Sequence, residues 1–204
     1  MTLLGARIGV ALLAAGASRR LGRPKQALSY RGRPLLRRAL DAACGSSATF
    51  ISVVVGAEQA LVAALLEDTD VDVVENGQWQ EGMSSSVRAA VAWARRRDCD
   101  GLLLAVADQP HLSSAHLDAL IVASEGATRI VASAYADVLG VPALFPWELF
   151  HRLEALSGDA GARSLLRHTA FRVIAVPWTA GARDVDTAAD ADCLDQPSAA
   201  GDHH

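Results

Sequence analysis

Four cations, Arg19, Arg20, Arg23 and Lys25, fall within seven residues directly after an apolar run, and Gly16 and Gly22 punctuate the same segment. Such a charge density suits a polyphosphate, because guanidinium and ammonium groups donate charge-assisted hydrogen bonds to phosphate oxygens. Small side chains at Ala15, Ala17 and Ser18 leave backbone N–H groups open to an anion, and glycine permits close approach. The nucleotide-facing set read from this loop is Leu13, Ala14, Ala15, Gly16, Ser18, Arg19 and Lys25. A solvated basic turn would carry the same charges with no ligand. Neither G-x-x-x-x-G-K-[ST] nor G-x-G-x-x-G occurs here, which removes the main sequence support for a P-loop NTPase or a Rossmann dehydrogenase.

A second apolar run ends in Asp108-Gln109-Pro110 and brings a carboxylate to the same kind of position. Mg²⁺ keeps several waters and takes one or two protein carboxylates beside substrate phosphates, so one aspartate suffices as a starting ligand. An ordinary Asp turn before proline is the competing account. Asn76 and the run Ser84-Ser85-Ser86 flank a loop that feeds a helix start, where hydroxyls and free N–H groups can read a base, sugar or phosphate, or simply cap. Gly158, Asp159 and Arg163 mark another loop-to-helix start with a cap and an anion ligand available. His111, His116, His151 and His168 have no metal-ligand spacing and read as surface or helix residues.

Chemistry at these positions needs elements that bring them together. Strand-like runs occur at Ile8–Ala14, Phe50–Val55, Val71–Val74, Leu102–Ala107, Ile130–Ser133 and Phe171–Val176, separated mostly by helical spacing. Three of them, Ile8–Ala14, Phe50–Val55 and Leu102–Ala107, are apolar on both faces, as strands are when helices cover both sides of a parallel sheet. In such sheets ligands bind beyond the carboxyl ends of the strands, which is where both the basic loop and Asp108 fall. Met83, Val87, Ala90, Val91 and Ala94 share one face of a predicted helix over Ser84–Arg97; Ser113 or Ser114 caps another running to Ser124, and Pro34 opens one running to Ala43. Tyr135–Phe145, with Gly140 and Pro142, reads as a hairpin or flap. The expected architecture is a three-layer α/β/α Rossmann-like fold, mostly parallel with a small antiparallel hairpin, as a single domain over 1–195 with a tail at 196–204.

Bulk properties narrow the partners. A net charge of −4 and pI near 5.8 give no global attraction for nucleic acid or an anionic membrane. No apolar run approaches the roughly 18 residues a membrane helix needs. Cys44, Cys99 and Cys193 form neither a disulfide framework nor a metal spacing, which favours a reducing compartment, with the cytoplasm expected.

The segment Leu-Ala-Ala-Gly-Ala-Ser-Arg-Arg-Leu-Gly-Arg-Pro-Lys at 13–25 resembles the signature loop of MobA-like nucleotidyltransferases, and its Ala-Ala-Gly form is closer to the molybdenum-cofactor cytidylyltransferase branch. The resemblance implies Mg²⁺-dependent transfer of CMP, less so GMP, from an NTP to a molybdopterin-type acceptor, with transient contact to a molybdoenzyme or its chaperone. It further implies catalytic roles for Lys25, Arg19 and Asp108, metal binding by Asp108, and a nucleotide wall of Asn76, Ser84, Ser85 and Ser86. Gly158, Asp159 and Arg163 fall on the acceptor side. Asp184-Val185-Asp186-Thr187 is similar to the family's closing acidic segment and makes Asp186 the second metal candidate, with Asp184 on the same face if the stretch is extended. Where cytidylyltransferases commonly carry Gly-His-Pro, this chain has Gly140-Val141-Pro142, so that imidazole contact is gone. A transferase using a sugar phosphate or other small acceptor, and a non-catalytic cofactor carrier, are the alternatives.

Overall fold

The computed structural model describes residues 5–17, 24–167 and 172–182. In chain order the elements are β1 (Ile8–Leu13), the short strands β2 (Ser29–Tyr30) and β3 (Arg33–Pro34), α1 (Leu35–Cys44), β4 (Phe50–Val55), α2 (Gln59–Leu66), β5 (Asp72–Glu75), α3 (Met83–Arg96), β6 (Gly101–Val106), α4 (Ser114–Ala123), β7 (Ile130–Tyr135), β8 (Val138–Pro146), α5 (Phe150–Glu154), α6 (Ala162–Leu166) and β9 (Val173–Pro177). A seven-stranded sheet runs β5-β4-β1-β6-β8-β7-β9, and β2 pairs with β3 in a separate small antiparallel sheet. Only β8 opposes its neighbours; the β5-β4-β1-β6 block and the β7-β9 pair are parallel.

Side chains alternate across each strand, and both faces of the central strands are apolar because both are covered. Val10, Leu12, Leu103 and Ala105 join Leu36 and Leu40 of α1, Val62 of α2 and Leu117 and Leu120 of α4 in one core. Ala11, Leu13, Leu102 and Leu104 meet Val87 and Val91 of α3, Phe150 and Leu153 of α5 and Leu165 of α6 in the other. The result is the three-layer α/β/α sandwich that the doubly apolar runs predict.

Of the two expected alternatives, the Tyr135–Phe145 segment is the hairpin and not the flap. Its hairpin is built on Ala136 and Asp137, both at positive φ as a two-residue type I′ turn demands. The nine-residue β8 then returns through the middle of the main sheet between β6 and β7, with Ala143, Leu144 and Phe145 fully buried. Its apolar C-terminal half can bury both faces, whereas a flap would leave them in water.

Ser113 caps α4 as expected, accepting the His116 N–H at 3.3 Å. The His116 ring is buried, stacked on Trp178 at 4.5 Å between centroids, with Nε2 2.7 Å from Ser133 Oγ. Ser133 donates its only proton to Pro142 O at 2.8 Å, so Nε2 carries the proton and donates to Ser133. Burial pushes the imidazole down from 6.5 to about 4. The folded protein keeps this ring neutral while the unfolded chain protonates it below about pH 6.5. The unfolded state therefore binds more protons between these values, and stability falls as pH drops through that window, by at most about 3 kcal/mol. Urea unfolding between pH 7 and 4 tests this: His116→Gln should flatten the slope, and an unchanged slope would remove His116 as its source.

Candidate functional site

The carboxyl ends of β1 and β6 open into a cavity of about 760 Å³ lined by Leu13–Ala17, Lys25, Gln26, Trp79, Gln80, Gly82, Met83, Ser86, Val106–Asp108 and Asp159. Parallel pairing of β1 with both β4 and β6 sets neighbouring loops side by side at this edge. Leu13, Ala14, Ala15 and Gly16 of the predicted nucleotide loop stand on the cavity wall. Ser18, Arg19, Arg20 and Arg23 lie outside the described residues, as do Asp184, Asp186, His168 and the 196–204 segment.

Lys25 Nζ sits 3.2 Å from Asp108 Oδ2, 83 residues away in the chain. Their side chains are 20% and 27% exposed, a partly desolvated pair inside the cavity and not a surface bridge. A short 3-10 turn, Lys25–Ala27, carries the lysine, and β6 ends two residues before the aspartate. Gln109, the next residue, is buried and donates Nε2 to Val141 O at 3.1 Å, where Tyr135 OH also donates at 3.1 Å. The Gly140-Val141-Pro142 strap is thereby tied directly to the Asp108 loop.

Asn76 and the serines are brought together, but largely toward each other. Asn76 Nδ2 donates to Ser85 Oγ at 2.8 Å and Ser86 Oγ at 3.1 Å, and all three serines are buried. Ser86 is the member of that group that reaches the cavity. Ser84 is no cap: α3 starts after Gly82 with no side-chain cap, and the Ser84 N–H donates to Gly158 O at 3.1 Å. Arg88 reinforces this seam, donating to Leu156 O at 3.1 Å and to Glu81 Oε2 at 2.5 Å. Asp159 thus stands on the cavity wall against α3, while Arg163 is exposed on α6 and outside the lining. α6 begins after Gly161 without a side-chain cap, so Asp159 does not fill that role.

Sequence reasoning missed several lining groups. Met83, assigned to the packed face of α3, is 41% exposed and faces the cavity. Trp79 lines it too and packs on Gly56 of the β4 exit, where an added Cβ would fall 2.8 Å from both Trp79 Cβ and Ala15 Cβ. The signal available for Gly56 was its place at a strand's carboxyl end, the edge already marked by the basic loop. Among the described residues no group of three or more His, Cys, Asp or Glu could hold a metal.

A mostly parallel sheet covered by helices on both faces, with a cavity at its carboxyl edge, places the chain in the nucleotidyltransferase fold. The chain belongs to the MobA-like NTP transferase domain family, whose model matches residues 10–173. It is 34% identical over 194 residues to nicotine blue oxidoreductase of Paenarthrobacter nicotinovorans, covering 91% of this chain and 92% of that protein. It also matches the crystal structure of Rv0371c from Mycobacterium tuberculosis H37Rv with TM-score 0.77 and 35% identity, over 92% of this chain and 97% of that one. Rv0371c has been solved in complex with manganese as well. A nucleotidyl transferase from Methanothermobacter thermautotroptrophicus shares the fold at TM-score 0.78 and 21% identity, covering 93% of this chain and 98% of that one. Among the described residues no helix is long and apolar enough to cross a membrane.

Proposed function

We propose that the protein transfers CMP from CTP to a phosphorylated, molybdopterin-type acceptor, releasing pyrophosphate in a divalent-metal-dependent reaction. The observation that carries this reading is the Lys25–Asp108 pair in the same cavity as the Leu13–Ala17 loop. Before substrate arrives the two charges compensate each other. A metal–triphosphate would bring an anion for the lysine and a cation for the aspartate, so each member of the pair would find a new partner of opposite charge.

The donor set fits such a metal. Two carboxylates on the cavity wall, Asp108 and Asp159, without a cluster of three acidic or imidazole ligands among the described residues, make too small a cage for a protein-held ion but suit one bound mostly by water and triphosphate oxygens. Asp108 would hold it, with Asp186 the proposed second ligand. When bound, the metal, Mg²⁺ in this reading, neutralises the triphosphate and braces the leaving pyrophosphate. Lys25, with Arg19 from the adjoining loop, offsets charge that builds on the α-phosphate oxygens as the acceptor's phosphate attacks in line. No general base is needed because that nucleophile is already ionised near neutral pH. Positioning supplies the rest, with Asp159 and the Gly158 loop on the acceptor side and Ser86 on the nucleotide side.

Thermal unfolding with CTP, GTP or ATP and Mg²⁺ should show CTP as the strongest stabiliser, worth about 2.7 kcal/mol at a hundred times its Kd. Pyrophosphate release with molybdopterin as acceptor should follow; a GTP preference would reverse the base, and release only with a sugar phosphate would replace the acceptor. Tight binding without release would make the protein a carrier. The oxidoreductase named among its relatives favours a second reading, reduction by a nicotinamide cofactor. The Leu13–Ala17 loop lacks the dinucleotide fingerprint that such a cofactor's pyrophosphate uses. Nicotinamide oxidation without pyrophosphate release would install that reading.

A further inference from the structure

The residue beside Lys25 has an arrangement that stability alone does not explain. Gln26 is 4% exposed, and its Nε2 donates to two carbonyls of the β1 exit loop, Ala14 O at 2.7 Å and Gly16 O at 3.1 Å. Its Oε1 has no partner among the described residues. A buried amide oxygen left unpaired is unfavourable, so this side chain is poorly suited to filling space. What it does is hold two carbonyls on one side of the loop. The carbonyl between them, Ala15 O, is held separately by the Ala57 N–H at 3.2 Å. In a trans peptide the N–H lies opposite the preceding C=O. Pinning the carbonyls of residues 14 and 16 to Gln26 therefore turns the N–H groups of Ala15 and Ala17 away from it, in a loop whose residues line the cavity.

We propose that Gln26 is the positioning residue of the anion cradle, fixing the Ala14 and Gly16 carbonyls so that the Ala15 and Ala17 N–H groups face the triphosphate. This rests on the nucleotidyltransferase reading above. Gln26 does not touch the reacting atoms. It acts by keeping carbonyl oxygens, which would repel phosphate, out of the cradle and N–H donors in it.

The experiment compares wild type with Gln26→Met, which keeps the volume and loses the donor, and Gln26→Asn, which keeps the amide but is one methylene too short to span both carbonyls. Inorganic triphosphate with Mg²⁺ and cytidine are titrated separately, followed by steady-state kinetics with CTP. Gln26→Met should bind triphosphate about 10- to 100-fold more weakly, the size of one or two lost hydrogen bonds to a charged group, with cytidine within about twofold of wild type. KM for CTP should rise by a similar factor, and kcat, governed by Lys25 and Asp108, should change less. Gln26→Asn should fall between the two and decides the matter if Gln26→Met fails to fold. Unchanged triphosphate affinity overturns the proposal, as does an equal loss of cytidine and triphosphate, which would make Gln26 a general support of the cavity. Failure of wild type to bind any triphosphate would instead bring down the functional reading beneath it.

Discussion

Lys25→Ala and Asp108→Asn should each lower turnover about 10²- to 10³-fold, the loss found when one preorganised electrostatic contact to transition-state charge is removed. In the proposed reaction the polyphosphate and the metal would lie side by side where the lysine stands 3.2 Å from the aspartate. Neither variant should unfold the protein. The pair is 20% and 27% exposed at a cavity wall, so water can solvate the group left behind, and the stability change should stay within about 1 kcal/mol. The two losses should not add in the double variant, since both act on one bound species. Turnover at the wild-type level in either single variant, with thermal unfolding unchanged, would take that residue out of the mechanism.

Gly82→Ala should be the most damaging small substitution near the site. Gly82 has φ 103 and ψ −173, a region essentially closed to residues with a Cβ. A methyl group there would also fall 2.5 Å from Asp159 Oδ1 and 2.6 Å from Gly158 O, and the second of these is backbone that cannot rotate away. Strain and displacement together should lower stability by about 3 kcal/mol, or about 10 °C in Tm. Turnover should fall as well, because the displaced Asp159 and Met83 both line the cavity. Gly77→Ala, which meets no atom within 4 Å, is the control and should stay within about 0.5 kcal/mol. If the two variants unfold together, the close approach of the 158–159 loop to α3 is not the constraint described.

How much was legible follows from the range of each interaction. The strand runs at residues 8–14, 50–55 and 102–107 announced a sheet covered on both faces because burial on two sides leaves an unbroken apolar string, a local property. α3 was placed within a residue at each end, since amphipathic spacing repeats every turn. The hairpin after Tyr135 was visible as a turn, but its insertion between β6 and β7 depends on pairing with partners some forty residues away, to which no local pattern points. Ser84 read as a cap because of its type and place, yet the chain put Gly82 there and spent the Ser84 N–H on Gly158.

By itself the sequence determined which groups were available: a cation-rich loop after the first strand, a carboxylate after the β6 run, and strands of the kind that end at a shared edge. Residue types and 2.0 or 3.6 periodicity are properties of neighbours in the chain, so they can be read there. Only the tertiary structure decided that Lys25 and Asp108 meet across 83 residues, that Gln26 clamps the loop behind them, and that Met83, Trp79 and Asp159 join the same wall. Those are contacts between segments distant in sequence, and they exist only once two apolar cores have packed on opposite faces of one sheet.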